Sequence, residues 1–206
     1  MQKYRATEIF QVIEKTETSI KNELREISLP FNLSFEIIKE KDDGFRGPGI
    51  YVATFKDEVI YIGSYSSTNM NIIQDRWVKH IQTFTNRGYR LGFNSKSKVR
   101  LIPSIFKSYF DNEPYRFCDK GTVTSIERLT FAAEFFKYFK ANSNEILNDF
   151  SFYYKQLQPN QNAIHFESLL ISRFSPICNR KSNNRTTTRG LKINTIQDFL
   201  LTLITN

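Results

Sequence analysis

The chain has 206 residues, enough to bury roughly 70% of its unfolded surface in one domain, and no Gly/Ser-rich or Pro-rich linker divides it. Apolar residues make up 40%, yet no run approaches the ~20 consecutive apolar positions of a membrane span, and two cysteines, Cys118 and Cys178, supply neither a disulfide framework nor a Cys-x-x-Cys metal site. The net charge of +8 is segregated: residues 76–110 and 168–197 together hold 14 of the 29 Lys and Arg and none of the 21 Asp and Glu, which points to a polyanionic partner.

In chain order, the opening MQKYRATEIFQVIEKTETSI has no apolar signal core and reads as part of the fold, in a reduced, intracellular setting. Residues 6–28 carry Ile9, Val12, Ile13, Ile20, Leu24 and Ile27 at helical spacing, which predicts an N-terminal helical extension within 1–30 that Pro30 stops. Residues 31–39 alternate weakly, as a strand does, and 41–48 are a loop by composition. GIYVATFKDEVIYIG, 49–63, predicts a hairpin with Lys56-Asp57-Glu58 as a three-residue turn. Phe55 then pairs with Val59, Ala53 with Tyr61 and Tyr51 with Gly63, so the two phenols share one face. On this register Gly63 leaves open space over Tyr51, and Gly49 admits another backbone at the start of the strand.

A helix is expected over 71–85, with Ile73, Trp77, Ile81 and Phe84 along one face. Residues 86–98 read as a basic loop, and Pro103 suits a short helix through Phe110. The capping-box pattern Thr124-Ser-Ile-Glu127 opens a helix to about Lys140, with Phe131, Phe135, Phe136 and Phe139 as core. A further helix is expected over 144–156, then an apolar one over 162–174 that Pro176 ends, a basic loop at 180–190, and an amphipathic helix over 194–204. The expected class is α/β (α+β), mostly helical, with a small hairpin-containing antiparallel sheet flanked by helices. Neither acid-free window is a clean basic amphipathic helix, so nucleic acid is the expected polyanion and a membrane is not.

Gly-Ile-Tyr51 followed by Tyr61-Ile-Gly resembles the signature of the GIY-YIG nucleases. The family's further residues occur in order. Arg76 lies on the helix after the hairpin, and His80 follows four residues on, as in the restriction-endonuclease branch. Glu167 lies on a later helix, and Asn179 follows Pro176. The resemblance covers 49–86 and 160–181 of a single domain spanning 1–206; it leaves out 1–40 and a largely helical and loop insertion, 87–158.

The resemblance implies phosphodiester hydrolysis in double-stranded DNA. Tyr51 would take the proton of the attacking water; a phenol of pKa ~10 needs help, from His80 as proton acceptor or from the positive field of Arg76 and the metal. Arg76 would fork two phosphate oxygens, and Tyr61 would orient phosphate or water. Glu167 would hold one Mg²⁺, with Mn²⁺ able to substitute, and Asn179 would position phosphate or a metal-bound group. Arg76 and His80, four apart, would share a helix face. His165, two residues from Glu167, cannot share its helix face and reads as structural. Lys79, Arg87, Arg90, Lys96, Lys98 and Arg100, with Arg180, Lys181 and Arg185, are the expected DNA contacts. A cytoplasmic type II restriction endonuclease of prokaryotic or phage origin, dimeric on a palindromic site, is the expected role. A phage, repair or mobile-element nuclease of loose specificity and an inactive DNA-binding module are the rivals.

Overall fold

In the computed structural model, which describes residues 1–14, 33–39, 45–85, 125–142, 145–179 and 188–205, GIYVATF forms a strand buried along its whole length, β4 (Gly49–Phe55). Its β-branched and aromatic side chains suit a position covered on both faces. β4 is the third strand of a four-stranded antiparallel sheet with β1 (Gln2–Arg5), β5 (Glu58–Tyr65) and β6 (Phe150–Gln156), in the order β1-β6-β4-β5. The protein is therefore mixed α/β with an antiparallel sheet.

The chain divides into two compact units. The first comprises Met1–Phe10, Ile37–Trp77 and Glu145–Asn206 and contains the four-stranded sheet. One face of that sheet is an aromatic layer, in which Trp77 stacks on Phe152 at 4.8 Å between centroids and Phe45 meets Trp77 edge-on at 5.6 Å. The other face carries Ile50, Val52, Ile62 and Tyr153, closed by Ala163 and Leu170 and by Ile196 and Leu200. These come from two amphipathic helices, Ala163–Phe174 and Ile193–Thr205, which lie within about a residue of the ranges read from sequence.

The second unit comprises Gln11–Glu36 and Val78–Asn144. It contains most of the paired strands β2 (Phe10–Glu14) and β3 (Leu33–Ile37), and the helices α1 (Val78–Phe84), α2 (Ile126–Glu134) and α3 (Phe136–Ala141). Phe131, Phe135 and Phe139 cluster as expected, with Phe131 and Phe135 4.9 Å apart. The Ser125 hydroxyl, one residue after the expected cap, accepts from Arg128 N at 3.4 Å at the start of α2. The helices of the first unit follow as α4 (Ala163–Phe174) and α5 (Ile193–Thr205).

Three expectations are corrected. Residues 6–14 do not open a helix: a short 3₁₀ turn, Ala6–Glu8, separates β1 from β2. Residues 144–156 hold a 3₁₀ turn, Ile146–Asp149, and then β6, so the stretch expected to be an insertion supplies the strand on which β4 pairs. In Phe-Ser-Phe-Tyr-Tyr, within the range expected to be helical, the side chains instead alternate between two covered faces of a sheet. Third, the hairpin turn has two residues. Lys56 and Asp57 both have positive φ, 49° and 59°, the conformation of a type I′ turn. Lys56 N donates to Asp149 O at 2.8 Å, which helps hold a non-glycine residue there.

A two-residue turn by itself would send Tyr51 and Tyr61 to opposite faces. A bulge cancels the change: Thr54 pairs with Val59 but Ala53 with Tyr61, leaving Ile60 as the extra residue. The register from there on is the expected one, Tyr51 opposite Gly63.

Candidate functional site

The two glycines of the hairpin each seat a tyrosine ring. A methyl group at Gly63 would overlap the ring end of Tyr51, and one at Gly49 would lie 2.5 Å from the Tyr154 ring and hydroxyl. The space over Tyr51 is thus filled by Tyr51 itself, which is only 2% exposed, and Gly49 admits a side chain and not a backbone. Tyr61, half-buried on the same face, lies 6.0 Å from Tyr51 between ring centroids. Tyr154 OH donates to Gly47 O at 3.3 Å, and burial, with the neighbouring Tyr65 and Tyr4, pushes its pKa up to about 12.

Two residues past Gly63, on the same face, is Tyr65. Its hydroxyl donates to Met70 O at 2.7 Å. Burial raises its pKa, with the Asp75 carboxylate adding to the rise and a hydrogen bond with Ser67 and the guanidiniums of Arg76 and Arg46 opposing it. Arg76 lies in a π-helical turn, Ile73–Trp77. Asn71 caps this turn, its Oδ1 accepting from Ile73 N at 2.8 Å, and buried Trp77 anchors its other end. Between those anchors the Arg76 side chain is 52% exposed, with Nε 3.5 Å from Asp75 Oδ2.

His80 is buried in the second unit, its ring stacked on Phe84 at 5.7 Å. Arg76 is thus exposed and His80 buried, where a shared helix face was expected of residues four apart. Lys79 is exposed on α1. Arg87, Arg90, Lys96, Lys98, Arg100, Arg180, Lys181 and Arg185 lie outside the described residues.

Glu167 is placed by α4. Asn162 Oδ1 accepts from His165 N at 3.1 Å at the helix start, and Ser175, in the left-handed region at φ 44°, ends it just before Pro176. With Ala163 and Leu170 packed into the core beneath the sheet, Glu167 sits half-buried and accepts a hydrogen bond from Ser64 Oγ. Ser64 is in phase with Ile62, so Glu167 meets the helix-covered face of the sheet, opposite the phenols. His165 is exposed on the same helix.

Asn179 is 4% exposed and grips one residue of β5: its Oδ1 accepts from Ile62 N at 2.9 Å and its Nδ2 donates to Ile62 O at 2.7 Å. Beside it, Cys178 N donates to Ile60 O at 2.8 Å and Val59 N to Leu191 O at 2.7 Å. These segments cover the outer edge of β5, where a fifth strand would otherwise pair. The Asn179 amide thus completes a strand; the expected ligand-positioning role gives way to a structural one.

Three consecutive residues of β5 thus carry contacts on both faces of the sheet: Gly63 under Tyr51 and Tyr65 bonded to Met70 O on one, and Ser64 on Glu167 on the other. Sequence reading passed over Ser64, Tyr65 and Arg46. The period-2 spacing of Tyr61, Gly63 and Tyr65 was a signal for Tyr65, whereas Ser64 and Arg46 carried none. Among the described residues no three His, Cys, Asp or Glu side chains cluster as metal ligands, and no helix is long and apolar enough to cross a membrane. Against protein-family models, curated proteins and solved structures, the chain matches none.

Proposed function

We propose that the protein is a Mg²⁺-dependent DNA endonuclease of GIY-YIG type and, within that class, a site-specific type II restriction endonuclease. The observation that carries this reading is the seating of the Tyr51 ring on Gly63. It gives both tripeptides one physical purpose: the glycine of the second exists to receive the tyrosine of the first.

In this reading Tyr51 takes the proton of the attacking water, its ring fixed by Gly63 and by burial. Tyr61 orients the same water or the phosphate. The Arg76 guanidinium, half in solvent, is available to fork two phosphate oxygens. Glu167 is the residue that would hold Mg²⁺. A half-buried carboxylate beside a serine hydroxyl is a hard-oxygen site of the kind that ion accepts, since it retains most of its waters and takes other ligands from phosphate. When bound, the ion would neutralise phosphate charge and stabilise the leaving oxygen. The acid-free windows supply cations for the DNA backbone, and the four-residue spacing of Arg76 and His80 favours the restriction branch. A palindromic target would be read by two copies.

The test is incubation of purified protein with Mg²⁺ and a long duplex of known sequence. Discrete fragments bearing 5′-phosphates are expected. A smear would replace the restriction enzyme by a nuclease of loose specificity, and cleavage of branched or damaged DNA alone would indicate repair. No cleavage in Mg²⁺ or Mn²⁺ would leave a DNA-binding module.

A further inference from the structure

Ser64 has no place in the chemistry described so far, yet it touches the one carboxylate assigned to the metal. Its backbone is fixed within β5, opposite Ile50. Its neighbours are fixed as well, Gly63 by the Tyr51 ring above it and Tyr65 by burial and its bond to Met70 O. The Ser64 hydroxyl therefore stands on one of the better-held parts of the hairpin. Glu167, on a separate helix, has three side-chain torsions and needs an external contact to fix its carboxylate.

We propose that Ser64 is a positioning residue for a divalent cation: by donating to Glu167 Oε2 it fixes the carboxylate plane and leaves Oε1 to the ion. The inference rests on the reading of Glu167 as the metal ligand. A hydroxyl has one proton to give, and giving it to Oε2 orients the lone pairs of both carboxylate oxygens. In a cage of several ligands one loose carboxylate matters little. With a single protein carboxylate, orientation decides affinity, and loss of such an outer partner typically costs 10- to 100-fold. Ser64 and Glu167 are both half-buried, so the pair is open to water and ions.

The experiment measures Mn²⁺ binding to the full chain from the free-ion paramagnetic resonance signal, without DNA, for wild type, Glu167→Ala, Ser64→Thr and Ser64→Val. Threonine and valine have the same shape and both suit a strand, so they differ only in the hydroxyl. The expected result is one Mn²⁺ bound by wild type and by Ser64→Thr, affinity weakened about tenfold or more in Ser64→Val, and no binding by Glu167→Ala. The Mg²⁺ midpoint for DNA cleavage should shift in the same order. Thermal melting without metal should be alike for the two Ser64 variants. Equal Mn²⁺ affinity for Ser64→Thr and Ser64→Val, with binding lost in Glu167→Ala, would overturn the role of Ser64 and leave Glu167 as ligand. Wild-type binding by Glu167→Ala, or none by wild type, would overturn both. Should Ser64→Val melt below the assay temperature, Ser64→Ala takes its place, with the same weakening expected and the same outcomes decisive.

Discussion

Gly63→Ala is the most direct test of how the hairpin is built. The added methyl group would collide with the Cζ, Cε1 and hydroxyl of Tyr51. A ring end on an open surface would swing aside at little cost. Tyr51 is 2% exposed, so the ring has nowhere to go without disturbing its neighbours. Overpacking of this kind costs about 1–3 kcal/mol, and for a chain of this size that lowers the melting temperature by about 2–12 °C. The single tryptophan, Trp77, is stacked on Phe152 of the same sheet, so its fluorescence reports the melting of this unit. The control is the same substitution in a Tyr51→Leu background, where the colliding atoms are gone. There the cost of Gly63→Ala should shrink by about 0.5–3 kcal/mol, the range of coupling between touching residues. An identical cost in both backgrounds would show that Gly63 is not there for the Tyr51 ring, and the physical link between the two tripeptides would be lost.

Tyr51→Phe keeps the ring and removes the hydroxyl; cleavage should slow by about a hundredfold or more while the Trp77 melting curve hardly moves, and unchanged cleavage would reduce Tyr51 to packing. Asn179→Ala strips both partners from Ile62 in a buried setting, at about 1–3 kcal/mol for each group left unsatisfied, whereas Asn179→Asp keeps the acceptor but sets a buried carboxylate oxygen against Ile62 O and should cost at least as much at neutral pH; urea unfolding measures both. Alkaline unfolding provides a sign test. Tyr154 is held protonated by burial up to about 12, above the ordinary value of 10.0. Its contribution is therefore fully present below pH ~10 and lost as pH rises through ~12, and Tyr154→Phe should flatten the decline in stability over that window.

The parts of this fold that could be read from sequence are those set by neighbours in the chain. Helix α4 was legible because its apolar run and the Pro176 that follows it act within or beside its own length. The register of Tyr51 on Gly63 was also read correctly, although by compensation: the turn is a residue shorter than expected and the bulge at Ile60 restores the phase. Periodicity cannot distinguish a three-residue turn from a two-residue turn plus a bulge. Strands β1 and β6 were missed because nothing local defines them. Tyr4 pairs with Phe152, and only the finished sheet makes alternation, and not a helical stripe, the useful pattern in Phe-Ser-Phe-Tyr-Tyr. For His80 the spacing was visible, but its burial against Phe84 and the π-helical form of the Ile73–Trp77 turn were not.

The way β5 is finished has a bearing on how the protein is made. The hairpin leaves the ribosome early, but the bonds that close its outer edge come from Asn179, 117 positions after Ile62. Its inner neighbour β6 arrives almost as late, with Ser151 lying 97 positions after Thr54. At about 5–20 residues per second, both flanks of the nascent hairpin stay unpaired for on the order of ten seconds. During that interval the strands can pair with another chain emerging from the same messenger. Slow, dilute expression should therefore favour soluble protein, and a fragment ending before residue 150 should collect in inclusion bodies.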